Sequence, residues 1–422
     1  MNKANQMSYK RRDFLQMTGL AAAAIPFTGY ASGNNDEGVK EETLIAAANE
    51  PVIKADLFKQ PLIISSMELL KLGDIFFVRT RTKDGAEGIF VTNKKVSVLY
   101  PIFLELVAPF FIGKDARQIE SLLDGLYVYE SNYKMQSLAL WCAFAWAEGS
   151  IIDMLGKASG KHVSELIGTK LRDKVPIYVA SGNRGTSPEE EVAILQQKIA
   201  QTSAKAIKFK VGGRMSRNMD SIPGRSEALI ELSRKLLGDQ ITIQADANGS
   251  YGVKQAIEIG KRLEGINAYL FEEPCPFDYV EETKQVADAL TIPVSGGEQE
   301  SSEYRFRKMI ASNTIQIVQP DLQYYGGFIR CTRVARMAEK ANMPITLHIS
   351  DGNAGYAEMV NFSSFTPNMG KFQELKTGME ATADLFEPAI RAKDGWLNVP
   401  VSPGMGMTHA AYALKDAKPV RP

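Results

Sequence analysis

From Val175 to Leu375, short apolar runs alternate with longer amphipathic stretches, the pattern of successive βα units around a parallel sheet. The runs predict strands over Val175–Ala180, Ala206–Val211, Ile241–Ala245, Ala268–Phe271, Ile292–Ser295, Thr314–Val318, Pro344–His348 and, more weakly, Lys371–Leu375. Eight strands separated by helix-length segments suit a (β/α)₈ barrel, and right-handed βαβ connections then fix their order. The preceding part of the chain reads differently. Ile75 to Thr82 alternates, Asp84-Gly85 is a hairpin signal, and Glu87–Val91 supplies the returning strand. Helical spacing follows, longest from Lys134 to about Ser159, with Leu138, Trp141, Cys142, Ala145, Ile152 and Leu155 at its apolar positions. Strands first and helices afterwards predict a separate α+β domain.

The first residues read as an address. Arg11-Arg12 and Phe14-Leu15 precede a mild apolar run, Thr18 to Phe27, and Gly29-Tyr30-Ala31 offers small residues for cleavage. This order is that of a twin-arginine export signal, and it implies a periplasmic protein. The run is far shorter than the roughly 20 residues that span a bilayer, so stable membrane insertion is not expected. Gly33 to Glu50 is polar and acidic and reads as a flexible linker. The expected organisation is therefore a signal over 1–31, a linker over 32–51, an α+β domain over 52–171, a barrel over 172–375 and a Pro/Gly-punctuated segment, 376–422, that returns across the two.

Composition adds exclusions. The 422 residues carry 49 Lys+Arg against 49 Asp+Glu, with no long basic run, which argues against a nucleic-acid partner. Cys142, Cys275 and Cys331 have no CxxC spacing and make neither a disulfide framework nor a zinc site. His162 and His409 fall outside the strand pattern and are expected at the surface.

The chemistry lies at the ends of the predicted strands. The second carries Lys208-Phe-Lys210, the third ends in Asp246-Ala-Asn248, the fourth in Glu272-Glu273-Pro274 and the fifth in Gly296-Gly297-Glu298; Asp321, His348 and Glu374 follow on the next three. From Asp246 the spacings are 26, 26, 23, 27 and 26 residues, close to one βα unit each time. Polar residues recurring at strand ends converge on one barrel mouth. Asp246, Glu272 and Glu298 offer oxygen ligands suited to Mg²⁺. Lys208 and Lys210, two apart, point to the same interior and should depress one another's pKa, leaving one of them a neutral amine able to act as a base. Asp321 would orient the His348 imidazole as a general acid or base, and Glu374, if protonated, could donate a hydrogen bond to an enolate oxygen.

Ala206-Ile-Lys-Phe-Lys-Val-Gly-Gly213, Gln244-Ala-Asp-Ala-Asn248, Phe271-Glu-Glu-Pro274, Gly296-Gly-Glu298, Val318-Gln-Pro-Asp-Leu-Gln-Tyr-Tyr-Gly-Gly327, His348 and Glu374 together resemble the enolase superfamily, in its mandelate racemase subgroup. The resemblance runs from about Phe58 to Met407 and implies an α/β fold: a modified (β/α)₇β, TIM-type barrel with an N-terminal α+β capping domain. It also implies Mg²⁺ on Asp246, Glu272 and Glu298, catalysis by Lys210, Lys208, Glu374 and the His348–Asp321 pair, and substrate contacts from Lys208, Asn248 and Glu374. The choice of Glu272 over Glu273 as ligand comes from the resemblance alone. So does a homo-oligomeric state. The implied reaction is removal of the α-proton of a small-molecule carboxylate to give an enediolate, either dehydrating an acid sugar to a 2-keto-3-deoxy acid or racemising or epimerising a 2-hydroxy acid or amino-acid derivative. A periplasmic binding protein that has lost catalysis is the competing class, and it would have no use for the retained bases. Two departures from the family pattern, Glu87-Gly88-Ile89 and Glu148 in place of an Asp, bear on substrate recognition more than on the first chemical step.

Overall fold

The computed structural model describes residues 38–350, 355–376, 379–409 and 411–421; the signal segment lies outside them. The capping sheet is antiparallel. Strand β1 (Ile64–Leu72) turns through Gly73-Asp74 into β2 (Ile75–Thr82), which pairs with β3 (Glu87–Val91), and Lys418–Pro419 from the returning segment closes the other edge of β1. The β2–β3 turn is the expected one, with Gly85 at φ 92°. β1 is an addition to the sequence reading. It mixes polar and apolar residues with a bulge between Ile64 and Ser66, which disturbs the alternation that would announce it.

The long helix α1 (Leu138–Ser159) is buried along nearly its whole length and packs on this sheet. It satisfies the length and apolarity of a membrane span, yet 89% of its apolar window is enclosed within the fold. Two glycines permit the close approach. A Cβ on Gly88 would lie 2.0 Å from the Ser150 carbonyl oxygen, and one on Gly149 would lie 2.4 Å from the Phe90 ring. Gly88 is thus required by packing, not by recognition.

Parallel strands β4 (Lys174–Ala180), β5 (Ala206–Lys210), β6 (Thr242–Asp246), β7 (Leu270–Glu272), β8 (Val294–Gly296), β9 (Ile317–Val318) and β10 (Gln373–Lys376) form a curled sheet in which β10 pairs with β4. Each β-to-β crossover carries a helix, as the alternation predicts. The predicted strand Pro344–His348 contributes only single bridges, from Ile345 to Val318 and Met369 and from His348 to Asp321, which join the two ends of the sheet. Pro344 has no N–H to donate, so a full ladder is unavailable there.

Part of the expected linker is structured. Glu41–Ala48 forms a helix with Leu44, Ala47 and Ala48 buried, and Glu41 pairs with Lys308 and Arg307. Its three buried apolar positions hide within an acidic, alanine-rich stretch. His162 is buried as well, its Nδ1 accepting from Ser164 N to cap the helix Val163–Ile167. His409 is not a surface group either; its ring packs 5.5 Å from Phe77 and 5.4 Å from Phe386.

Candidate active site

The register of the sheet brings the strand-end residues together. Lys210 lies opposite Asp246, Asp246 opposite Glu272, and Glu272 opposite Ser295, so each polar side chain is one strand along from the last at the same height. Asp246, Glu272 and Glu298 each present a carboxylate oxygen, all within 4.8 Å of one another. Asp246 and Glu272 are buried. Burial, followed by the Asp246 charge, pushes the Glu272 carboxyl up to about 7 despite the nearby Lys208. Burial would also raise Asp246, but Lys210, Lys208 and the Asn248 N–H outweigh it and hold that carboxyl below its usual range. Three mutually repelling oxygens with no competing soft donor fit a hard divalent cation, which would relieve the repulsion at Glu272.

Lys208 and Lys210 face inward together, as their spacing predicts, but each has carboxylate partners. Lys210 donates to Asp246, while Lys208 Nζ lies 3.0 and 2.8 Å from the two Glu272 oxygens and 3.3 Å from Glu374. Burial would lower the Lys208 pKa, yet Glu272 and Glu374 raise it well above the usual lysine value. The expected mutual depression therefore fails for Lys208, because acids crowd it more closely than the other lysine does. Lys208 is also 1% exposed and lies beneath the carboxylates, away from the open mouth.

At the other end of the triad, His348 Nε2 is 3.5 Å from Glu298, and Nδ1 is 2.8 Å from Asp321. Burial disfavours the imidazolium, but Glu298 and Asp321 raise its pKa overall. Asp321 is itself fixed by the N–H groups of Gln323 and Tyr324, each at 2.9 Å. Glu374 is not the protonated donor expected. Burial would keep it neutral, but Lys208, Lys376 and His348 push its carboxyl down to about 2, so it is an anion.

The sequence reading missed several groups at the same mouth. Lys376 Nζ lies 3.2 Å from His348 Nε2 and also donates to the Ile349 carbonyl. Its signal was available, since it is two residues beyond Glu374 and so on the same face of β10. Gln319 donates to Glu272 at 2.9 Å. Arg184 and Arg214, one from each of the loops after β4 and β5, were missed too; both donate to Oδ1 of Asn248, a residue the sequence did single out, whose amide nitrogen turns toward Asp246 and Glu298.

Glu148 carries a different duty from recognition. It is fully buried and accepts from Phe328 N and Ile329 N, each at 2.8 Å, at the start of helix α2 (Phe328–Lys340). Gly327, at φ 104°, makes room, since a Cβ there would lie 2.0 Å from a Glu148 oxygen.

A family model described as enolase C-terminal domain-like matches residues 170–413, more than half of the chain. The chain belongs to the enolase superfamily. Within it, a structure from Roseobacter denitrificans, provisionally named a racemase, is 31% identical with a TM-score of 0.80, covering 85% of this chain and 99% of that one. A mandelate racemase/muconate lactonizing protein from Paracoccus denitrificans PD1222, complexed with magnesium, is 26% identical with a TM-score of 0.79 over the same shares. An arabinonate dehydratase from Saccharolobus solfataricus is 26% identical over 306 residues, covering 72% of this chain and 79% of the relative. A D-galactarolactone cycloisomerase from Agrobacterium fabrum is 27% identical over 316 residues, covering 72% and 81%. Superfamily members are thus enzymes of more than one reaction type, and the fold seen here is their barrel with its N-terminal cap.

Proposed function

We propose that the protein is a Mg²⁺-dependent enzyme that removes the α-proton of an acid sugar and dehydrates it to a 2-keto-3-deoxy acid. One observation carries the reading: Lys210 contacts the first carboxylate of the triad and His348 approaches the last, so two proton-transfer groups flank one cation site. Asp246, Glu272 and Glu298 would hold the ion, which when bound supplies positive charge to a substrate carboxylate as negative charge develops there. Lys210 takes the α-proton as a free amine, after giving up its bond to Asp246. His348, held by Asp321 and favoured in its protonated form, delivers a proton to the β-hydroxyl, which leaves as water. The resulting enol tautomerises to the keto acid. Lys208 and ionised Glu374 form a fixed charge pair under the site and position the groups above them. Relatives named arabinonate and D-galactonate dehydratases support this reaction. If His348 instead returned a proton to the α-carbon, the same site would racemise or epimerise, which the Roseobacter denitrificans structure's provisional name favours.

The proposal extends to the cell. The Arg11-Arg12 segment supports twin-arginine export to the periplasm, and the family resemblance supports a homo-oligomer, for which light scattering is the direct measurement.

The test is exchange of substrate α-hydrogen in D₂O with Mg²⁺ across a panel of acid sugars. Lys210→Ala should abolish exchange, whereas His348→Ala should retain exchange but lose dehydration. Loss of neither activity in either variant would refute the assignment of bases. Calorimetric titration with Mg²⁺ supplies a separate readout, with Glu298→Ala expected to weaken binding by tenfold or more. Unchanged affinity would remove Glu298 from the ligand set.

A further inference from the structure

We propose that Arg184 and Arg214 form a second anion site at the barrel mouth, which selects acid sugars carrying a negative group at the end remote from the metal. The inference rests on the acid-sugar reading and narrows its substrate class. Arg184 Nη2 is 2.7 Å and Arg214 Nη2 is 3.3 Å from one atom, the Asn248 amide oxygen. Two guanidinium cations thus converge on a neutral acceptor. Their repulsion is unfavourable unless an anion joins them. Among the described residues neither guanidinium has an ion-paired carboxylate of its own.

The placement is held by backbone that would not arise by default. Arg184 Nε donates to the Gly212 carbonyl at 3.1 Å, which fixes the plane of the fork. Arg214, Met215, Arg217 and Asn218 all have positive φ, between 48° and 70°, so the loop after β5 keeps four non-glycine residues in a costly conformation. The Arg214 N–H is tied to Ser250 at 2.9 Å. Neither Nη1 group takes part in these bonds, so both remain available as donors for a planar carboxylate or a phosphate. Asn248 bridges the two sites, because its amide nitrogen reaches Asp246 at 3.3 Å and Glu298 at 3.5 Å. A substrate whose first carboxylate meets the cation would therefore extend its far end over Asn248 toward the arginines. The carboxylates that act on Arg184 from longer range are Asp246 and Glu298, which a bound cation would engage, leaving the guanidinium for the substrate.

The test is calorimetric titration of the Mg²⁺-loaded full chain with galactonic acid, galactaric acid and 6-phosphogluconic acid, which carry no remote anion, a remote carboxylate and a remote phosphate. At least one doubly charged acid should bind tenfold or more tightly than galactonic acid, and which one wins identifies the remote group. Arg184→Met and Arg214→Met should each cut that preference at least tenfold. Arg214 is exposed and, among the described residues, its guanidinium hydrogen-bonds to Asn248 alone, so Arg214→Met decides the matter even if Arg184→Met folds poorly. Equal affinity for all three acids, no binding of any, or a preference that survives both substitutions would overturn the proposal. α-Hydrogen exchange followed in the same samples separates the two ideas. A preferred doubly charged acid that is never exchanged refutes the reaction and leaves the anion site standing, while exchange without preference does the reverse.

Discussion

Lys208 lies among three acidic or potentially acidic groups, Glu272, Glu374 and Tyr178, with its ammonium 5.2 Å from the centre of the tyrosine ring. It is the counter-charge shared by two buried carboxylates, Glu272 of the cation site and Glu374 beside it. Lys208→Met preserves volume but strips Glu272 of its lysine and leaves Glu374 with Lys376 alone, and breaking such a buried pair costs about 3–5 kcal/mol. Urea unfolding in the presence of a chelator should show a loss of that size; a loss below about 1 kcal/mol would mean the charges are relieved by protonation alone. The positions of these residues were legible in the sequence because βα spacing and strand alternation fix where a side chain points. Their charge states were not. Whether Glu374 is an acid or an anion depends on Lys376, which the alternation places on the same face of its strand, and on Lys208 and His348, whose approach depends on how the sheet curls.

At the scale of elements, the Glu148 carboxyl joins the capping-domain helix α1 to the first turn of the barrel helix α2. Two N–H groups favour its anion, but burial dominates and raises its pKa to about 8. The folded protein therefore keeps this proton over a range in which the unfolded chain releases it. The folded state binds more protons between the ordinary carboxylate range and about pH 8, so the contribution to stability is full below that window and falls as pH rises through it. Glu148→Gln should flatten this slope in denaturation measured at pH 5, 6.5 and 8. It should also cost about 1 kcal/mol at pH 5, since an amide can accept only one of the two bonds. A slope identical to that of the parent would place the titration elsewhere. Sequence showed the Glu as a departure from a family pattern; that its acceptors are the N–H groups of a helix 180 residues away is a fact of packing.

For the whole molecule, the helix Glu41–Ala48 is a part of the barrel's outer layer that composition disguised as linker. Leu44 has no exposed surface, and Arg336 donates to the Glu50 and Pro51 carbonyls at 2.6 and 3.0 Å just beyond it. Leu44→Ala should cost about 2–5 kcal/mol, as for other buried leucines, whereas a leucine in a free linker would cost almost nothing. Thermal or urea unfolding distinguishes the two. A polar average over some eighteen residues concealed one buried stripe, whereas the barrel's repeated units were plain because each repeats its evidence in the next.

Lys418–Pro419 supplies the outer strand of the capping sheet, Val420 N bonds to Leu69 at 2.8 Å, and Met405 N bonds to Asp153 in α1 at 2.9 Å. The ribosome makes the first strand of that sheet some 350 residues before its neighbour. Until then β1 has an open edge and Asp153 holds only one of its two buried N–H donors, Ile89 but not yet Met405, so the cap stays incomplete while the barrel is synthesised. Folding of this chain is therefore obliged to finish at the domain that was begun first, and the unpaired edge of β1 is the surface a chaperone would have to guard in the interval.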